Sequence, residues 1–173
     1  QTPSSIVHRP WLDARNILVV RVDHLGDVVM TTPAITAIRH SSPGARITLL
    51  ASRAGAAARR HIPALDDAIA YDAPWTVGTA QGEGRSAQGD KRLVNELCRR
   101  GFDAAIIFTA CAHSALPAAL VCRLAGIPIR LGYSRERQPL DMSRFVPPEP
   151  LPRVRAPARQ ADSAGDDRQG SLF

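Results

Sequence analysis

Residues 16 to 38, NILVVRVDHLGDVVMTTPAITAI, constrain the fold more than any other part of the chain. Ile17, Leu18, Val19 and Val20 form an unbroken, mostly β-branched run, the pattern of a strand buried on both faces of a parallel sheet. Such a strand belongs in the interior of its sheet. After Gly26 the apolar positions change rhythm, and Val28, Val29, Thr32, Ile35 and Ile38 recur as one face of a helix. A strand feeding a helix through a tight turn is the opening half of a βαβ unit. Ligands of such sheets bind outside the carboxyl ends of the strands, so the turn from Val22 to Asp27 is the leading candidate site. It is neither a dinucleotide fingerprint, having one glycine where G-x-G-x-x-G needs three, nor a Walker A loop, since no Gly-Lys-Ser/Thr follows.

Strand and helix patterns alternate along the rest of the chain. Ile47–Leu50 reads as a second strand, the alanine-rich run 54–60 as a short helix ended by Pro63, and Ala68–Tyr71 as a third strand. Residues 72–89 hold Pro, Gly, Ser and Gln without periodicity and read as a flexible loop beside the cleft. Leu93, Val94, Leu97 and Cys98 are spaced as a helix that stops at Gly101, Ala104–Phe108 reads as a fourth strand, 116–124 as a helix closed by Gly126, and 127–131 as a fifth strand. Pro33 falls inside the first helix and is expected to kink it, or to restart it with Thr31 or Thr32 as the cap. The expected fold is α/β, a Rossmann-like parallel sheet with flanking helices over 16–146. Residues 1–15 read as a lead-in segment.

A chain of 173 residues supplies one domain with a core but not two, given that single domains run to about 100–150 residues. After Val146 the apolar periodicity stops, and 147–173 is rich in Pro, Arg, Ala, Asp and Gly, a composition that cannot bury enough to order itself. A genuine disordered tail and an aberrant one, from a premature end or a change of frame, both account for it. The net charge of +6 is carried almost wholly by arginine, Lys91 being the sole lysine. A basic domain suits anionic sugars, phosphates or a membrane surface. No aromatic stacking series, zinc spacing or basic helix accompanies it, so nucleic acid is not an expected partner. No stretch approaches the roughly 20 apolar residues that cross a bilayer, the beginning of the chain has no apolar signal core, and three widely spaced cysteines fit a reducing compartment. These features lead us to expect a cytoplasmic protein.

The stretch ILVV, Arg21, VDHL, Gly26-Asp27, VVM, Thr31-Thr32 and Pro33 resembles, in order and spacing, the amino-terminal motif of glycosyltransferase family 9, the ADP-heptose:lipopolysaccharide heptosyltransferases and their relatives. Further segments agree in order: ARITLLAS (45–52), PALDDAIAYDAPW (63–75), and FDAAIIF with LPAALVCRLAGIPIRLGYS between 102 and 134. The resemblance covers roughly 15–146. It implies the acceptor-binding, amino-terminal half of a two-domain GT-B enzyme that transfers a sugar from a nucleotide-diphosphate donor, with inversion, to a glycan or lipopolysaccharide-core acceptor. It also implies a sugar-nucleotide domain that this chain does not contain, no metal or other cofactor, an anionic glycan or glycolipid as partner, peripheral contact with the inner membrane face, and little activity for this segment by itself. The rival class of reading is a noncatalytic binding module or inactive fragment that retains the fold.

Transfer from a nucleotide diphosphate needs a base for the acceptor hydroxyl. The resemblance gives that role to Asp27, whereas its place at a helix start also suits a capping carboxylate. Arg21 is placed to pair with an acceptor carboxylate, or else with Asp23 or Asp27. Asp23 and His24 offer contacts to acceptor hydroxyls. Gly26 permits a sharp turn or the close approach of a sugar ring, and Arg53, just past the second strand, stands on the same rim. His113 and Cys111 cannot fill a metal site by themselves, and no metal is expected.

Overall fold

A computed structural model of the protein describes residues 11, 13–76, 86–110, 113–133 and 144–146. The lead-in up to residue 10, the middle of the loop expected over 72–89 (residues 77–85), Cys111 and the tail 147–173 lie outside the described residues. The elements are β1 (Asn16–Arg21), α1 (Leu25–Ser41), β2 (Arg46–Ala51), α2 (Arg53–Ala57), a 3-10 turn (Ala58–His61), β3 (Asp67–Ala70), α3 (Ala87–Arg100), β4 (Ala104–Ile107), α4 (Leu116–Leu124), β5 (Ile129–Tyr133) and β6 (Arg144–Val146). They form the α/β, Rossmann-like parallel sheet expected from the sequence, with strand order β3-β2-β1-β4-β5-β6. Every pairing is parallel.

β1 lies in the interior because its side chains have apolar partners on both faces. Leu18 and Val20 pack with Leu93 and Leu97 of α3 and Ala118, Ala119 and Cys122 of α4. Val19 faces the other way, onto Val28 and Ile35 of α1 and Ile47 and Leu49 of β2. Helices therefore cover both faces, as the continuous apolar run requires. The amino end of β1 is pinned to β4, Asp103 accepting from the backbone N–H groups of Arg15 and Asn16 at 2.8 Å each.

Several boundaries differ from the sequence expectation. Helix α1 runs unbroken through Pro33 rather than restarting there. Pro33 sits on the solvent side with Val29 and Met30, 56% and 81% exposed, so the carbonyl that loses its donor is open to water. Thr31 does not cap; its hydroxyl donates back to the Asp27 carbonyl at 2.7 Å. Helix α3 begins at Ala87, inside the stretch read as loop, because the Ser86 hydroxyl accepts from the Gly89 N–H at 3.0 Å. The fifth strand starts at Ile129 rather than Ile127. Gly126, at φ 76°, ends α4 with bonds from its own N–H to Arg123 O and from Ile127 N–H to Cys122 O, so Ile127 spends its donor on the helix cap and Pro128 has none to give. β6, paired with β5, had no counterpart in the sequence reading.

Candidate functional site

The strand order reverses between β1 and β4, since β2 and β3 extend the sheet to one side of β1 and β4, β5 and β6 to the other. The crevice outside the carboxyl ends of β1 and β4 is where doubly wound sheets hold their ligands. The turn that leaves β1 carries Asp23 and His24 beside it, the first turn of α1 carries Gly26 and Asp27, and the loop that leaves β4 carries His113.

Asp27, Arg21, Asp23 and His113 form one chain of contacts. Arg21, at the last position of β1, reaches Asp27 Oδ1 through an Nη at 2.9 Å and Asp23 Oδ2 through Nε at 3.3 Å. Asp23 Oδ1 in turn meets His113 Nδ1 at 2.9 Å. Burial grades along this chain: the side chain of Asp23 is 3% exposed and that of Arg21 10%, against 27% for His113 and 30% for Asp27. A carboxylate as enclosed as Asp23 is tolerable only with partners, and it has the Arg21 guanidinium on one side and the His113 imidazole on the other. Its Oδ2 and Arg21 Nε face each other as an ion pair without hydrogen-bond geometry.

Asp27 is the third residue of α1 rather than its cap. His24 holds the cap position, and its backbone N–H donates to Asp27 Oδ2 at 3.0 Å, one arm of a capping box. Each Asp27 oxygen thus accepts one hydrogen bond from within the chain, and each has lone-pair capacity left. Gly26 lies in the first helical turn, and among the described residues no atom outside its own stretch of helix comes within 4 Å of where a Cβ would sit. The backbone there needs no left-handed conformation, so of the two sequence readings for Gly26 the tight turn has no support, and no described side chain fills the space above it.

Arg53 is not brought into this network. Its guanidinium stands 3.7 Å from Asp72, and its backbone N–H donates to the same carboxylate at 2.9 Å. With Tyr71, Asp72, Arg92 and Arg99 it lines a separate pocket of about 510 Å³ along β3 and α3. The residue that sequence reasoning missed is His113. In the sequence it stands out only beside Cys111, and its place in the loop past the fourth strand is the one signal that could have found it. Among the described residues no group of three or more His, Cys, Asp or Glu side chains could hold a metal ion, and no helix is long and apolar enough to cross a membrane.

No protein-family model matches the sequence, and neither does any curated protein. Solved structures do match. The glycosyl transferase family 9 protein from Veillonella parvula DSM 2008 superposes with a TM-score of 0.60 at 22% identity, over 76% of this chain and 36% of its own. The described sheet and helices share the fold of part of this family 9 structure. E. coli ADP-heptose lps heptosyltransferase II gives 0.57 at 21% identity over 75% of this chain and 34% of its own. E. coli heptosyltransferase WaaC with ADP-2-deoxy-2-fluoro heptose gives 0.57 at 19% identity, over 80% of this chain and 44% of its own. The chain spans less than half the length of each of these family 9 structures.

Proposed function

We propose that this chain is the acceptor-binding half of a family 9-type glycosyltransferase, with Asp27 as the general base. The observation that carries the reading is the position of Asp27: a carboxylate, 30% exposed, at the strand-order switch of a fold shared with heptosyltransferases. Asp27 takes the proton of an acceptor hydroxyl. The freed oxygen attacks the anomeric carbon from the face opposite the nucleotide diphosphate, and the bond to the diphosphate oxygen breaks with inversion. Arg21 fixes the Asp27 carboxylate, and the open space over Gly26 admits the sugar ring. The donor, an ADP-linked sugar by analogy with the heptosyltransferases, is held by a second, sugar-nucleotide domain. The acceptor is an anionic glycan or lipopolysaccharide-core saccharide, reached in the cytoplasm at the inner membrane face, and the chemistry needs no metal.

One observation favours a second reading. Both Asp27 oxygens already serve Arg21 and the start of α1, which is what a purely structural carboxylate in a noncatalytic binding module would do. Asp27→Asn separates the two. In protein carrying both halves, the substitution lowers sugar transfer from an ADP-linked donor by about 10²–10⁴-fold with acceptor binding retained, the range for losing a general base. Transfer at the parent rate with a loss of about 0.3–2 kcal/mol in unfolding free energy would assign Asp27 to the helix start alone.

A further inference from the structure

We propose that His113 is an acceptor-contacting residue, its ring held by buried Asp23 so that Nε2 hydrogen-bonds a sugar hydroxyl in the crevice. The inference rests on the reading of that crevice as an acceptor site.

An ionised carboxylate has no proton to give, so in the 2.9 Å contact with Asp23 Oδ1 the proton belongs to His113 Nδ1. Nε2 is then the one polar ring atom left. It makes no hydrogen bond among the described residues, while the side chain stays 27% exposed. The backbone fixes the approach: His113 N–H closes a turn onto the Ala110 carbonyl at 2.9 Å, and α4 begins three residues later. Asp23 cannot swing away to release the ring, because it is 3% exposed and paired with Arg21 on its other oxygen. The loops after β1 and β4 therefore flank the crevice with two different groups, the Asp27 carboxylate and the imidazole Nε2. A carboxylate only accepts, whereas Nε2 accepts when neutral and donates when protonated, and a sugar hydroxyl can answer either. An imidazole oriented by a buried carboxylate is also a defined hydrogen-bonding direction, which is what discrimination between epimeric hydroxyls requires.

The test uses the 173-residue chain with a deacylated lipopolysaccharide-core oligosaccharide as probe. Nitrogen NMR of the ring is expected to show the proton on Nδ1 in the free protein and a shift of Nε2 on titration. His113→Asn retains a donor near the Nδ1 position for Asp23 but has nothing at Nε2. It is expected to unfold at the parent denaturant midpoint and to bind the oligosaccharide about three- to tenfold more weakly, the value of one hydrogen bond. His113→Gln, which keeps an amide near the Nε2 position, is expected to recover part of that affinity. Parent-level binding by His113→Asn, or an Nε2 resonance that ignores the ligand, would overturn the role of His113 and leave the acceptor site standing. Absence of binding by the parent chain would remove both.

Discussion

Gly26 separates the two demands made on the first helix. As a residue in a helical turn with open space around its missing Cβ, it costs stability that an alanine would restore. Gly26→Ala is expected to raise the unfolding free energy by about 0.4–1 kcal/mol while weakening acceptor binding, because the methyl occupies the volume the sugar ring needs. A denaturant midpoint and a binding isotherm on the same variant check both halves, and unchanged binding would remove Gly26 from the site. At this scale the grouping of the candidate site was legible beforehand. Arg21, Asp23, His24 and Asp27 fall within seven residues from the end of β1 to the start of α1, and proximity in sequence guaranteed proximity in space. The ion pairing of Arg21 with both carboxylates was one of two open alternatives, since a charge count does not say which partner a guanidinium meets. Arg53 was placed on the same rim because it follows a strand, but it follows β2, on the far side of β1 from the crevice, and Asp72 holds it there.

Two glycines show how element junctions carry stability. Gly55 of α2 sits so close to α1 that an added Cβ would lie 2.8 Å from Val28 Cγ2 and 3.0 Å from Ala51 Cβ. Gly101 faces open space but has φ +63° at the end of α3. Alanine at either is expected to destabilise, by about 1–3 kcal/mol at Gly55 through overpacking and about 1–2 kcal/mol at Gly101 through the left-handed backbone. Urea unfolding with an unchanged slope measures each. Steric relief should distinguish them: Val28→Ala rescues Gly55→Ala in part and does nothing for Gly101→Ala. Element types were legible because period-2 and buried runs differ from period-3.6 runs. Element ends were less so, because capping decides them. The first turn of α3, Ala87-Gln88-Gly89-Asp90, has no apolar rhythm, and its one signal was Ser86. The start of β5 was set by a helix cap and a proline rather than by its apolar residues.

Across the whole molecule, Asp67 ties the start of β3 to the end of α3. It meets Arg100 at 2.7 Å and Arg46 at 3.5 Å, and the Arg100 hydrogen bond holds its carboxyl below the ordinary 3.8 in spite of partial burial. A lowered folded-state value stabilises the protein above the ordinary value. That contribution fades as the pH falls through 3.8 and then through the folded-state value, because the unfolded chain takes up the proton first. Asp67→Asn is therefore expected to be less stable than the parent at pH 7, with the gap closing towards pH 2. Denaturant midpoints at several pH values check this, and a gap independent of pH would refute the pairing. The interior place of β1 was legible from its unbroken apolar run; the strand order beyond β1 was not, because sequence alternation is the same whichever side of β1 the fourth strand joins. Only that order brings His113 to Asp23, 90 residues away in the chain. A ribosome adding about 5–20 residues per second takes roughly 5–20 seconds to cover that distance. Until β4 emerges, β1 has one open edge, and Asp23 has Arg21 but not His113 as a partner, so the crevice is completed only when the later half of the chain docks.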